Sequence, residues 1–143
     1  MKIGLACDHA GFLHKEKTKE YLETLGYTVN DYGCFSEESV DYPDFAHQLA
    51  NSIKNNLNLY GIQFCGTGNG INMSANKHQE IRAALCWSAE ISKLSRQHND
   101  ANILSIPARF VNIEQALEMV DLFVSTPFEG GRHQKRIEKI PCK

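Results

Sequence analysis

Along this chain, short apolar runs rich in β-branched and aromatic residues alternate with longer stretches in which apolar positions return every three to four residues. The short runs, at residues 2–7, 28–32, 60–65, 82–86 and 102–106, predict five strands. Leu13, Lys17, Tyr21 and Leu25 fall at helical spacing within residues 12–25, and Gly26 follows as a C-terminal stop. Pro43 suits a first helical turn ahead of Phe45, Ala46, Leu49, Ala50 and Ile53, whose spacing makes one apolar face. Residues 113–124 repeat that pattern, and a short basic helix reaching outward is expected after Gly130 and Gly131.

Strands alternating with helices call for βαβ units around a parallel sheet, and right-handed crossovers then give a three-layer α/β/α sandwich of Rossmann-like type. No repeat, low-complexity tract or linker marks a second domain, so residues 1–143 read as one. In such sheets ligands bind beyond the carboxyl ends of the strands, where strand order reverses. With a flavodoxin-like order, 2-1-3-4-5, that point lies between strands one and three. The loops beginning at Asp8 and at Cys65 are therefore the ones to watch.

Composition adds mostly exclusions. The chain has 143 residues, 42% apolar and 22% charged, with 15 Lys+Arg against 17 Asp+Glu, so no polyanion-binding argument can start and no nucleic-acid partner is expected. Cys7, Cys34, Cys65, Cys86 and Cys142 are odd in number, far apart and without a C-x-x-C pair, which suits reduced thiols in a cytoplasmic protein. No apolar stretch has the length of a signal peptide's apolar region or of a membrane span, so neither export nor a membrane anchor is expected.

The candidate chemistry gathers at strand ends. Cys65 is followed by Gly66, Thr67, Gly68, Asn69 and Gly70, a glycine-rich strand-to-helix turn that can aim backbone N–H groups at an anion. The same pattern also suits a tight turn closing on a buried cysteine. The spacing matches neither the dinucleotide fingerprint nor a Walker loop, and Ile71 and Asn72 stand where a cysteine phosphatase would carry its arginine. A thiol beside such a turn has its thiolate favoured, as a general base near neutral pH requires. The other four cysteines read as small hydrophobes.

Asp8 and His9 end strand one, where they can orient hydroxyls or a phosphate, although an Asp there also caps a helix. His98 lies in a polar run from Ser95 to Asn102, and Asn99 and Asp100 beside it supply the amide and carboxylate that an acid/base histidine uses. His14, His47 and His78 lack such company and read as structural. Arg132 and Arg136 are four apart, on one face of a helix and suited to a shared anion, and Arg109 falls just past strand five at the cleft end of the sheet.

Taken together, Cys7–Gly11, Asp41–Pro43, Cys65–Gly70, Ser95–Asn102 and Glu129–His133 resemble, in order and across essentially the whole chain, the type B ribose-5-phosphate isomerase family, whose relatives include galactose-6-phosphate isomerase subunits. That resemblance implies an aldose-ketose isomerase of the pentose phosphate pathway, with no metal or organic cofactor and a site between the subunits of a homodimer or dimer of dimers. It implies that Cys65 is the base shuttling a proton between C2 and C1 and that His98 is the acid opening the sugar ring. Gly66, Thr67, Gly68, Asn69, Gly70 and Asn99 would donate to the enediolate, Asp8 and His9 would contact the sugar or its phosphate, and Arg109, Arg132 and Arg136 would bind the phosphate. The alternatives weighed are a hexose 6-phosphate such as allose or galactose as substrate, and a non-catalytic sugar-phosphate module, which would not need Cys65 and His98 together. A flavin-binding protein lacks its fingerprint here.

Overall fold

The computed structural model describes residues 1–142. Five parallel strands form one sheet: β1 (Lys2–Cys7), β2 (Thr28–Asp31), β3 (Tyr60–Cys65), β4 (Ala83–Leu85) and β5 (Ile103–Pro107). Six helices connect and flank them: α1 (Phe12–Thr24), α2 (Tyr42–Lys54), α3 (Asn69–Ala75), α4 (Ala89–Asn99), α5 (Ile113–Ser125) and α6 (Gln134–Ile137). The predicted strands agree to within a residue or so at each end.

The two faces of the sheet differ because side chains alternate along each strand. Ile3, Leu5, Ile62, Phe64, Leu104 and Ile106 point to one side, where Leu22 of α1 and Met119, Val120 and Phe123 of α5 close the main core. The other side carries smaller or polar residues, Gly4, Ala6, Gly61, Gln63, Cys65 and Ser105, beneath α2 and α3. A Cβ on Gly4 would stand 2.5 Å from Leu49 Cδ1, so the glycine is what lets α2 lie this close.

Strand order is β2-β1-β3-β5-β4, which corrects the expected 2-1-3-4-5 at its last two positions. The reason is burial. Every residue of β5 is buried and needs a strand on both sides, whereas β4 is short and half-buried throughout, as an edge strand can be. Asn76 covers part of that edge by accepting from the Ala83 N–H and donating to its C=O. The reversal between β1 and β3 is unaffected, so the expected cleft stays where it was.

Two local expectations also change. The helix predicted over residues 12–25 forms, but Leu13 and Leu25 of its apolar series are exposed, and the buried side is Lys15, Thr18 and Leu22. Lys15 is tolerated there because its ammonium pairs with Asp31 and Glu16 and lies 5.2 Å from the Phe35 ring centroid. The basic tail does not reach outward. It returns onto α4, where the Glu129 N–H donates to Gln97 O, Ile137 is buried, and the His133 ring stacks on His98.

Candidate active site

At the carboxyl ends of β1 and β3 a cleft of about 380 Å³ opens, lined by Asp8, His9, Asp41, Tyr42, Cys65, Thr67 and Arg109 among others. Backbone pairing fixes its floor: the Asp8 N–H donates to Phe64 O, and the Arg109 N–H to Gly66 O. Gly68 takes φ +74°, a left-handed conformation that turns the chain from Cys65 into α3. Gly70 faces the Tyr42 ring so closely that a Cβ would fall 2.4 Å from Cζ. Arg109 lays its guanidinium over Gly66, where a Cβ would stand 3.0 Å from Nη1. The glycines of this turn therefore make room for neighbours as well as bend the chain.

Asp8 and Cys65 meet directly. Asp8 Oδ1 accepts the Ala10 and Gly11 N–H groups at 2.9 and 3.1 Å, and Oδ2 accepts the Cys65 thiol at 3.1 Å. One oxygen of Asp8 thus caps the turn, as the sequence allowed, and the other is turned to Cys65. Burial, followed by the hydrogen bond to Asp8 and its negative charge, raises the Cys65 thiol above its ordinary range, while the backbone N–H groups of Gly68 and Ile71 act in the opposite sense. His9 Nδ1 accepts the Val40 N–H at 3.2 Å, which leaves the neutral ring's proton on Nε2.

His98 and Asn99 are elsewhere. They end α4, which leads into the amino end of β5, whereas Cys65 pairs with Pro107 at that strand's carboxyl end. Roughly 15 Å of strand separates the two levels. His98 stacks on His133 with ring centroids 4.3 Å apart and planes 14° from parallel, and Glu129 Oε2 lies 3.6 Å from His133 Nε2. Burial first, then the neighbouring His98 and Arg132, lower the His133 pKa. Asp100 is not a partner of His98, contrary to the sequence reading. Its carboxylate takes Arg96 Nη1 at 2.8 Å and Arg82 Nη2 at 3.0 Å, which closes the turn after α4. Arg132 and Arg136 sit at this same end, both exposed.

The sequence profile described as Ribose/Galactose Isomerase matches residues 3–140. This chain belongs to the ribose/galactose isomerase family. It is 43% identical over 139 residues to ribose-5-phosphate isomerase B of Escherichia coli K12, covering 97% of this chain and 93% of that protein. The crystal structure of a ribose 5-phosphate isomerase from Thermotoga maritima superposes with a TM-score of 0.96 at 51% identity, over 98% of this chain and 97% of the other. Ribose-5-phosphate isomerase B from Mycoplasma genitalium, solved with bound ribulose-5-phosphate, gives a TM-score of 0.93 at 42% identity, over 97% and 93% of the two chains.

In this isomerase, then, the predicted residues divide into two groups. Asp8, His9, Cys65 to Gly70 and Arg109 come together at one end of the sheet, and His98, Asn99, Arg132 and Arg136 at the other. His98, Glu129 and His133 bring their ligand atoms within 4.8 Å of one another, but the in-plane lone pairs of two nearly parallel rings do not converge on one point, so the cluster is not shaped for an ion. Sequence reasoning gave no role to Tyr42 or His133. Each stood inside a motif quoted for the family, and that was the available signal.

Proposed function

We propose that this isomerase interconverts ribose 5-phosphate and ribulose 5-phosphate by moving a proton between C2 and C1. The observation that carries the reading is the Cys65 thiol in a cleft floored by backbone turns, in a chain 42% identical to a protein solved with bound ribulose-5-phosphate. With the sugar open, the Cys65 thiolate takes the C2 proton of the aldose. The electron pair moves onto the carbonyl oxygen O1 to form an enediolate, the proton of the C2 hydroxyl passes to O1, and the same sulfur returns its proton to C1 as the C2–O2 carbonyl forms, leaving the ketose. Gly66, Thr67, Gly68, Asn69 and Gly70 supply donors toward the enediolate oxygens, and one such donor is typically worth ~100- to 1,000-fold in rate. Asp8 and His9 hold the sugar hydroxyls or the phosphate, and Arg109 binds the phosphate at the rim. The scheme draws on protein groups alone.

The remaining groups reach this cleft from a second copy of the chain. Arranged as a homodimer, alone or paired into a dimer of dimers, the far end of one subunit brings His98 to open the ring, Asn99 to donate, and Arg132 and Arg136 to hold the phosphate over the other subunit's Cys65. The exposure of both arginines and their distance from their own cleft support this reading. It also fits a cytoplasmic place in the pentose phosphate pathway. No helix among the described residues is long and apolar enough to cross a membrane.

Turnover of ribose 5-phosphate compared with allose 6-phosphate and galactose 6-phosphate tests the assignment. The pentose should lead in kcat/KM by at least about tenfold, the low end of what one extra carbon contributes to discrimination in a non-polar pocket. A hexose phosphate turned over faster would overturn it.

A further inference from the structure

Behind the cleft, on the face of the sheet under α3, lies a run of polar side chains in an otherwise apolar layer. Gln63 of β3 and Ser105 of β5 are both fully buried. Gln63 Nε2 donates to Ile71 O at 3.1 Å and to Ser105 Oγ at 2.8 Å, and Ser105 Oγ donates in turn to Asn72 Oδ1 at 2.9 Å. The donor sequence runs one way, from the strands to the first turn of α3. Gln63 Oε1, by contrast, is buried without a partner. A leucine or methionine would fill the same volume and leave no orphan carbonyl, so packing alone does not account for the amide. What the amide adds is its two N–H bonds.

Those bonds end on the backbone that faces the thiol. Ile71 packs against Cys65 and is held through its carbonyl by Gln63, and its N–H is one of the two backbone groups that favour the Cys65 thiolate. The other belongs to Gly68, whose carbonyl accepts the Asn72 N–H at 3.2 Å. Asn72 is in turn tied to β5 through Ser105. Both N–H groups are thereby tethered, within two or three links, to the two central strands.

We propose that Gln63, Ser105 and Asn72 form a buried positioning network that fixes the Gly68 and Ile71 backbone N–H groups toward the Cys65 sulfur. None of the three touches substrate. Their effect is to keep the turn from drifting, which matters because proton transfer loses rate steeply when donors and acceptors are misplaced by an ångström. The catalytic consequence rests on Cys65 being the proton carrier, but the structural one does not.

The test uses Gln63→Met, which keeps the length and removes both donors, and Ser105→Ala, a milder change that breaks only the link to Asn72. The Cys65 thiol is titrated by the pH dependence of its alkylation with iodoacetamide, followed by peptide mass spectrometry. Steady-state kinetics with ribose 5-phosphate accompany it. Ile62→Val, on the opposite face of β3, serves as a control for general loosening of the core. Gln63→Met should raise the alkylation midpoint by about half a pH unit to one unit and lower kcat about tenfold with KM within twofold. Ser105→Ala should do the same more weakly, and it carries the prediction if Gln63→Met does not fold. Ile62→Val should leave the midpoint in place. An unmoved midpoint in the glutamine and serine variants, or an equal shift in the control, would overturn the inference. Full turnover by Cys65→Ala would instead overturn the role given to the thiol, whatever the midpoints.

Discussion

At the carboxyl end of the sheet, the groups that face the cleft are backbone N–H groups and short side chains set directly on strand ends, with Asp8 and Cys65 themselves in the backbone hydrogen bonds that join neighbouring segments, Asp8 N–H to Phe64 O and Ala108 N–H to Cys65 O. At the amino end of β4 and β5, the candidates are His98 and the arginines, side chains on the last turn of α4 and on a tail tied down by the His98–His133 ring stack, the Glu129 N–H to Gln97 O, the Gln79 amide to Cys142 O, and the burial of Ile137. The first group is rigid because the sheet is. The second is an exposed surface whose chemistry is incomplete where it stands. An isomerase needs a base, an acid and an anion clamp around one sugar, and within a single chain roughly 15 Å of strand separates Cys65, the proposed base, from His98, Arg132 and Arg136, the proposed acid and part of the proposed clamp. The proposed dimer is the arrangement that removes that separation.

The harshest way to break this picture is to disable each end separately. Cys65→Ala should lower turnover by ~100- to 10,000-fold while leaving the fold intact, the range usual for loss of a general base. Arg136→Ala should weaken substrate binding strongly and leave thiol alkylation unchanged, since bidentate arginine contacts supply both energy and orientation to a phosphate. Mixing the two inactive chains then asks whether the ends serve one another. If each site draws on both subunits, a heterodimer has one site with both defects and one with neither, and activity returns toward about half of a wild-type dimer. Heterodimers seen by native mass spectrometry but without activity would place Arg136 over its own chain's cleft.

A finer test concerns His98. If it opens the furanose, His98→Asn should depress turnover of ribose 5-phosphate at least about tenfold more than turnover of a tetrose 4-phosphate, whose C4 oxygen carries the phosphate and cannot close a ring. Equal losses on the two sugars would reduce His98 to a positioning group.

How much of this was legible beforehand follows the same division. The strands, the glycine turn and the meeting of the Asp8 and Cys65 loops at one cleft were readable because strand ends and turns leave local signals: β-branched runs, glycines and a polar residue at a carboxyl end. The order of β4 and β5 was not, since it depends on which strand needs two neighbours, and the burial of β5 only shows once the layers are assembled. The buried side of α1 was misjudged because Lys15 ranks as a surface residue by type, and its partner Asp31 lies on another element. Asp100 was offered to His98 by adjacency in sequence, yet the turn after α4 aims it at Arg82 and Arg96. Adjacent residues on a helix end do not share a direction, and no periodicity argument recovers where each one points.

The smallest effect expected is also the one that isolates the cleft from the rest of the molecule. Asp8 Oδ2 accepts the Cys65 thiol proton at 3.1 Å, and after burial that contact is the main reason the thiol sits above its ordinary range. Asp8→Asn keeps an oxygen for the Ala10 and Gly11 N–H groups but places an amide donor where a negative acceptor stood. A donor favours the thiolate and the lost charge no longer opposes it, so the Cys65 pKa should fall. The rate of alkylation at pH 7 follows the thiolate fraction and should rise up to roughly tenfold, read on the Cys65 peptide in a Cys142→Ser background so that the exposed cysteine does not contribute. Turnover should move the other way, because the same substitution removes a contact proposed for the sugar. Faster alkylation with slower isomerisation would separate Asp8's hold on the thiol from its hold on the substrate. A slower alkylation at neutral pH would mean that Asp8 helps to ionise the sulfur, and that the contact between them works in the opposite sense.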